Sequence, residues 1–548
     1  MTDSISECYT FPSIFNETLR KYGHHNAFAF VGETPVSYET AYRRIQSVIA
    51  FMEKMGIGPG DRVAILSTNM PNWGITYFAI TFMGAVAVPI LPDFSATETG
   101  NVLEHSGTKA IFIASPLLSR IEGFVSEELK TLVLIEDFSV ISSETSAEYD
   151  PSDTPVRKYE VSEDDLASII YTSGTTGRSK GVMLTHKNIS FNARKGKVIQ
   201  YIDENDRFLS VLPLSHTYEN TLGLILPVLC GSCVYYLRKP PSPAVLLPAL
   251  QEIRPTIMLT VPLIIEKIYF SKILPAFTDN FLLKLIYKIP FIRKILNKAA
   301  GKKLMATFGG ELKFFGIGGA KLNKTVEKFL LEAGFPYAIG YGLTETAPLL
   351  AGANPQKSVF ASTGPAIEGI ELIINNPDRK TGEGEIWAKG PNVMKGYYKE
   401  PEMTREVLSA EGWFRTGDLG SFDRKNNLFI KGRLKNMILS SSGENIYPEE
   451  IESIINNFRF VVESLVIQQK GKLVALVHIN MEELEKKYHY LKEDFSRQFE
   501  EKVDEVLIEL QEYVNSRVNK FSRIQKVVLQ PVPFQKTATL KIKRFLYT

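Results

Sequence analysis

Up to about residue 431 the chain alternates between short β-branched or aromatic runs and longer stretches in which apolar positions recur every three or four residues. Runs at 165–171, 207–212, 233–237, 256–261, 312–317 and 336–340 each lead into a Gly, Pro or polar segment, a pattern that predicts strands ending in loops. Strands alternating with amphipathic helices predict an α/β fold with ligand-binding loops at the carboxyl ends of its strands. The uncharged run 75–92 is long enough to cross a bilayer but carries Gly84, Pro89 and Pro92. It is predicted to be a core helix, a turn and a buried strand.

Beyond Lys431 charged residues become dense, and 481–519 reads as one long charged helix with Leu484, Tyr488, Leu491, Phe495, Phe499, Val503, Val506 and Leu510 on its apolar face. The expected organisation is a large N-terminal domain, 1–432, and a small α+β domain, 433–548. No internal repeat or low-complexity tract is visible.

Composition adds exclusions. With 548 residues, 44% hydrophobic and 23% charged, the chain has the make-up of a globular enzyme rather than a disordered or fibrous protein. Its formal net charge of +2 provides no bulk field for binding nucleic acid or an anionic membrane, so any basic patch must be local. The start, Met1 to Phe15, has early acids and no apolar core, so no secretory leader is expected and a cytoplasmic location is. Cys8, Cys230 and Cys233 are too few to staple such a chain, and the lone C-x-x-C reads as a pair of buried structural thiols.

The first chemical motif is Tyr171-Thr-Ser-Gly-Thr-Thr-Gly-Arg-Ser-Lys-Gly181. Glycines at 174 and 177 let backbone N–H groups close round anionic oxygens, hydroxyls of Thr172, Ser173, Thr175 and Thr176 add donors, and Lys180 adds charge. It is not a Walker A loop, because Ser179 stands where that motif needs glycine. A second glycine strand end, Phe314 to Ala320, includes Gly318 and Gly319 but has Lys321 where a dinucleotide fingerprint needs its third glycine. Shortly after it, Gly340-Tyr-Gly-Leu-Thr-Glu-Thr346 gathers an aromatic face (Tyr341), Gly342, a hydroxyl (Thr344) and a carboxylate (Glu345). These suit stacking a purine, holding a phosphate and holding Mg2+, the last assigned to Glu345 because a carboxylate beside a phosphate is otherwise repelled.

Together with Gly-Trp-Phe-Arg-Thr-Gly-Asp (412–418), Gly-Arg-Leu-Lys-Asn (432–436) and Lys-Thr-Ala-Thr-Leu-Lys-Ile-Lys-Arg (536–544), these motifs occur in an order that resembles the adenylate-forming superfamily, over nearly the whole chain. Leu540 before Lys541, where the family usually has glycine, resembles its long-chain acyl-CoA branch. The resemblance implies a large domain of parallel and mixed sheets with helices and a distorted β-barrel, followed by a small mobile domain. It implies ATP, Mg2+ and coenzyme A: a carboxylate becomes an acyl-AMP, pyrophosphate leaves, and a thiol then displaces AMP. By the same resemblance Asp418 accepts the ribose hydroxyls, Arg433 contacts ribose or phosphate, and Lys541 bridges the carboxylate and the α-phosphate. Lys435 is then the hinge, Gly443 lines the pantetheine tunnel and His216 stands beside the acyl carboxylate.

The segment 270–305 carries eight Lys/Arg against one acid, Asp279, with Leu282, Leu285, Ile286, Ile289, Ile292, Ile295 and Leu296 at helical spacing. It reads as an interfacial element touching the inner face of a membrane, with a homodimer contact or core packing as alternatives. With the long-chain resemblance it favours a fatty acid as the substrate. An acyl-carrier-protein ligase, an amino-acid adenylation domain and a catalytically silent fatty-acid-binding or uptake protein are the competing readings.

Overall fold

The computed structural model describes residues 8–124, 126–173, 179–439, 445–469, 471–487, 497–537 and 542–547. Two large sheets dominate. One has seven strands in the spatial order Tyr337–Ile339, Phe314–Ile317, Ile257–Thr260, Arg207–Ser210, Cys233–Tyr236, Asn26–Phe30 and Val36–Ser37, all parallel except the last hairpin. The other has eight, ordered Gly396–Tyr397, Ser179–Thr185, Leu166–Ser173, Val86–Ile90, Arg62–Leu66, Ala110–Ile113, Thr131–Leu134 and Val140–Ser143. Its central strands are parallel and both margins are antiparallel. Strands such as Ala110–Ile113 and Ile257–Thr260 are buried at every residue, as strands covered on both faces must be.

The six strands expected from the pattern all form, each trimmed or shifted by a residue or two at its ends. The uncharged run divides as predicted into the helix Pro71–Phe82 and the strand Val86–Ile90. Every residue from Trp73 to Phe82 is buried, because this helix touches strands of both large sheets and has no solvent face. No described helix is long and apolar enough to cross a membrane.

A third sheet, Glu371–Asn375, Gly384–Lys389, Phe414–Phe422 and Leu428–Arg433, is antiparallel throughout. The family resemblance implies a distorted β-barrel, and among the described residues no strand pairing closes this sheet into one. After Leu439 the chain builds a separate core: the hairpin Val461–Gln469 and Lys472–Ile479, joined by the parallel strand Lys526–Leu529, packs with the helices Pro448–Ile455 and Arg497–Asn515. Of the long helix expected over 481–519, the described residues hold Met481–Lys487 and Arg497–Asn515, the latter ending four residues short, while 488–496 lie outside them. Leu484, Val503, Val506 and Leu510 are buried as its periodicity required, while Tyr488, Leu491, Phe495 and the side chain of Phe499 lie outside the description.

Candidate active site

The strand Leu166–Ser173 carries Tyr171, Thr172 and Ser173 at its end, and the antiparallel return strand Ser179–Thr185 carries Lys180 opposite Thr172. Gly174, Thr175, Thr176 and Gly177 lie outside the described residues. A short strand, Gly396–Tyr397, pairs onto the return strand at Val182 and Met183. That pairing sets the Tyr397 ring 4.9 Å from the Lys180 ammonium, while the Tyr397 hydroxyl donates to Glu345 Oε1 at 2.9 Å. Burial lowers the Lys180 ammonium from the ordinary lysine value, with Glu345 opposing the shift and Lys435 adding to it. Lys180, Tyr397 and Glu345 thus form one group, with Lys435 within electrostatic reach.

Glu345 sits in the single turn Thr344–Thr346, whose shape is fixed from outside. The buried amides of Asn192 and Asn392 both donate to the Thr346 carbonyl, at 2.7 and 2.9 Å, and Asn392 also reaches the Leu349 carbonyl. Gly342 permits the turn to close, since a Cβ there would fall 1.7 Å from the Pro348 carbonyl oxygen. Thr344 and Glu345 are half-buried, with Gly342 exposed beside them.

Tyr341 is buried, and its hydroxyl donates to Asp418 Oδ2 at 2.8 Å. Asp418 and Arg433 are direct partners across the third sheet, so the guanidinium Nε reaches Asp418 Oδ1 at 2.8 Å and Nη1 donates to the Thr416 carbonyl. The Asp418 side chain is 7% exposed and that of Arg433 46%, so the pair presents a buried acceptor with an accessible cation over it. Lys435 follows in an exposed turn, Leu434–Asn436. A cleft of about 380 Å3, lined by residues including Leu419, Leu434 and Tyr447, borders Asp418 and Lys435 in the chain but includes none of the predicted site residues.

His216 caps the short helix Thr217–Glu219, accepting from the Tyr218 amide at Nδ1. The Tyr218 ring covers the second glycine strand end: a Cβ on Gly316 or Gly318 would come within 3.0–3.1 Å of it. Gly318 is buried, while Gly319 and Ala320 are exposed at the rim, Gly319 with a φ of +80°. Glu219, next in line, is 1% exposed; its Oε1 accepts from the Ser210 hydroxyl at 2.6 Å and its Oε2 has no partner. Burial pushes its carboxyl up to about 8, so it is protonated at neutral pH.

Of the expected site residues, Lys541 and Gly443 lie outside the described residues together with Gly174, Thr175, Thr176 and Gly177, as does the Ser173 side chain. Tyr397, Asn192 and Asn392 were not foreseen; the only sequence signal for the first is the glycine-aromatic run Gly396-Tyr-Tyr398. Cys230 and Cys233 are buried and unbridged, and burial pushes both thiols up to about 12, so neither is a thiolate at neutral pH. Among the described residues no group of three or more His, Cys, Asp or Glu forms a metal cage.

Comparison with known proteins assigns the class. The chain belongs to the AMP-binding enzyme family, whose model matches residues 15–398. Similar curated proteins include long chain acyl-CoA synthetase 7, peroxisomal, of Arabidopsis thaliana, 28% identical over 93% of this chain and 79% of the relative. The Amycolatopsis feruloyl-CoA synthase is 31% identical over 80% and 81%, and the Arabidopsis long-chain-fatty-acid–[acyl-carrier-protein] ligase AEE15, chloroplastic, is 29% identical over 88% and 78%. Among solved structures, the Bacillus subtilis o-succinylbenzoate coenzyme A synthetase in complex with AMP matches with a TM-score of 0.76 at 22% identity, covering 97% of both chains. That likeness shows a shared fold over nearly the whole chain.

Proposed function

We propose that this AMP-binding ligase activates a long-chain fatty acid with ATP and transfers the acyl group to coenzyme A. A fatty acid carboxylate oxygen attacks the α-phosphorus of ATP, the bond to the β-phosphate oxygen breaks, and acyl-AMP and pyrophosphate form. The coenzyme A thiolate then attacks the acyl carbon, whose bond to the AMP oxygen breaks to leave a thioester and AMP. The observation that carries the reading is a buried carboxylate, Asp418, under Arg433, whose charge is felt at Glu345 and Tyr397 of the Lys180–Tyr397–Glu345 group: an acceptor for ribose hydroxyls within electrostatic reach of groups for phosphate.

In this reading Thr172, Ser173, Gly174, Thr175, Thr176, Gly177 and Lys180 cradle the polyphosphate, and Thr344 binds the α-phosphate. Tyr341, Gly342, Gly318, Gly319 and Ala320 border the adenine. His216 faces the substrate carboxylate, and Lys541 neutralises the charge shared by carboxylate and α-phosphate during attack. Residues 433–548 form the mobile small domain, turning at Lys435 so that Gly443 lines the thiol's path in the second step. Mg2+ fits Glu345, since a cation arriving on phosphate oxygens needs only one or two protein carboxylates, and it would supply charge neutralisation there. Long-chain acids fit the name of the Arabidopsis relative, long chain acyl-CoA synthetase 7. The reading puts the enzyme in the cytoplasm, against the inner face of the membrane.

A second reading, transfer to an acyl-carrier protein, is favoured by the AEE15 relative and shares the first half-reaction. Purified protein supplied with palmitate, ATP and Mg2+ and offered either acceptor tests both. Palmitoyl-CoA with stoichiometric AMP supports the proposal, thioester only on the carrier protein supports the second reading, and neither product with either acceptor refutes both.

A further inference from the structure

The helices Phe281–Tyr287 and Pro290–Thr307 turn an apolar face outward. Phe281 and Phe291 are each 74% exposed and Leu282 67%, with Leu285, Ile289 and Ile295 also exposed. Loose packing does not account for this, because the opposite face is fastened. Arg293 forms two hydrogen bonds to Glu332, at 3.0 and 2.8 Å, and Asn297 donates to the same carboxylate at 2.7 Å. The Tyr287 hydroxyl donates to Asn297, and its ring stacks on Phe277. Gly301 brings the second helix so close to the Lys324–Ala333 helix that a Cβ there would sit 2.6 Å from the Ala333 carbonyl oxygen. Arg293 and Asn297 are turned to the protein while the large apolar groups share the solvent face with lysines, which an ordinary surface helix does not do.

Charge identifies the occupant. Lys284, Lys288, Lys294 and Lys298 are exposed on the same two helices, and no salt bridge among the described residues joins any of them to an acid. Across 270–305 there are eight Lys/Arg and one acid, in a chain whose total is only +2. A second copy of this chain would bring the same cations to a shared interface and repel. An anionic bilayer supplies both complements, acyl chains for the phenylalanines and headgroup phosphates for the lysines.

We propose that these two helices dock the protein on anionic lipid bilayers, with Phe281, Leu282 and Phe291 entering the boundary between headgroups and acyl chains and the four lysines contacting lipid phosphates. The inference rests on the fatty-acid reading, since the bilayer is where a long-chain acid partitions, yet binding itself requires no catalysis.

Vesicle flotation of the full chain tests it, using phosphatidylcholine alone and phosphatidylcholine with phosphatidylglycerol. The protein is expected to float with the mixed vesicles and to be released by high salt. Each lysine near a charged leaflet is expected to contribute roughly fivefold, so K284E with K288E should cut binding by tenfold or more. F281S with F291S should abolish flotation while leaving thermal stability and turnover of a short, soluble acid unchanged, since both rings are exposed. Flotation unaffected by both variants, or equal on neutral and anionic vesicles, would overturn the proposal. So would absence of flotation accompanied by dissociation of a wild-type dimer in the F281S/F291S variant, which would identify a self-interface. A flotation failure with intact acyl activation would sink only the docking surface, whereas retained docking without activation would sink only the ligase reading.

Discussion

The substitution Glu219→Gln should change the pH dependence of stability in a defined direction. In the wild type the carboxyl is buried, holds one hydrogen bond from Ser210 and is pushed up to about 8, against an ordinary value of 4.5. Between those values the native state keeps a proton that the unfolded chain has released. Stability from this group is therefore undiminished below about pH 4.5, falls as pH rises by roughly 1.4 kcal/mol per unit, and levels off above about pH 8. From pH 5 to 7 the loss is roughly 3 kcal/mol. A glutamine amide has nearly the same shape and does not titrate, so the variant should gain on the wild type by that amount over the interval. Calorimetric melting of both proteins at pH 5, 6, 7 and 8 reads the difference, which cancels every other titrating group. For a chain of this size each kcal/mol corresponds to a shift of about 2 °C or less, so the gap in Tm should widen steadily by several degrees and then stop. A gap independent of pH would refute the argument that Glu219 is held neutral by burial.

Three further outcomes follow from the site. Asp418→Asn removes the charge paired with Arg433 but keeps an acceptor for Tyr341; losing a charged hydrogen bond of about 1.5–3 kcal/mol should raise KM for ATP by about tenfold or more, and an unchanged KM would contradict its role at the ribose. Lys541→Ala should slow acyl-AMP formation by about 100-fold while supplied acyl-AMP and coenzyme A still give thioester; equal loss of both half-reactions, measured separately, would contradict the two-pose model. Gly342→Ala forces a Cβ into the Pro348 carbonyl, and overpacking of about 1–3 kcal/mol or more should lower Tm by several degrees, whereas a wild-type melting curve would show that the turn has slack.

Much of this was legible in advance where the signal is local. The strand runs before the phosphate-loop motif and before Phe314–Ile317 announce themselves by β-branched and aromatic content, and the helix Pro71–Phe82 by an uncharged run too interrupted to span a bilayer. Pairing across the chain is not local. That Asp418 faces Arg433 depends on the register between two strands, and that Asn192 and Asn392 meet on the Thr346 carbonyl depends on contacts 154 and 46 residues apart. No periodicity encodes either. Tyr397 escaped notice because a two-residue strand lacks the alternation that marks longer ones, although its pairing onto the return strand brings Lys180 and Glu345 to one ring. That no strand pairing among the described residues closes the antiparallel sheet into a barrel could not be read from sequence for the same reason, since closure is a property of strand registers and not of any one strand.

Pyrophosphate exchange into ATP reports carboxylate activation alone and needs no thiol acceptor, so it isolates the proposed adenylation. The panel should run from acetate through palmitate and oleate to an aryl acid and several amino acids, with Mg2+ present. Exchange is expected to rise with acyl chain length and to be lost in Lys541→Ala. Absence of exchange with every acid, from protein that still binds ATP or fatty acid, would contradict the proposed adenylation and identify a silent fatty-acid-binding protein.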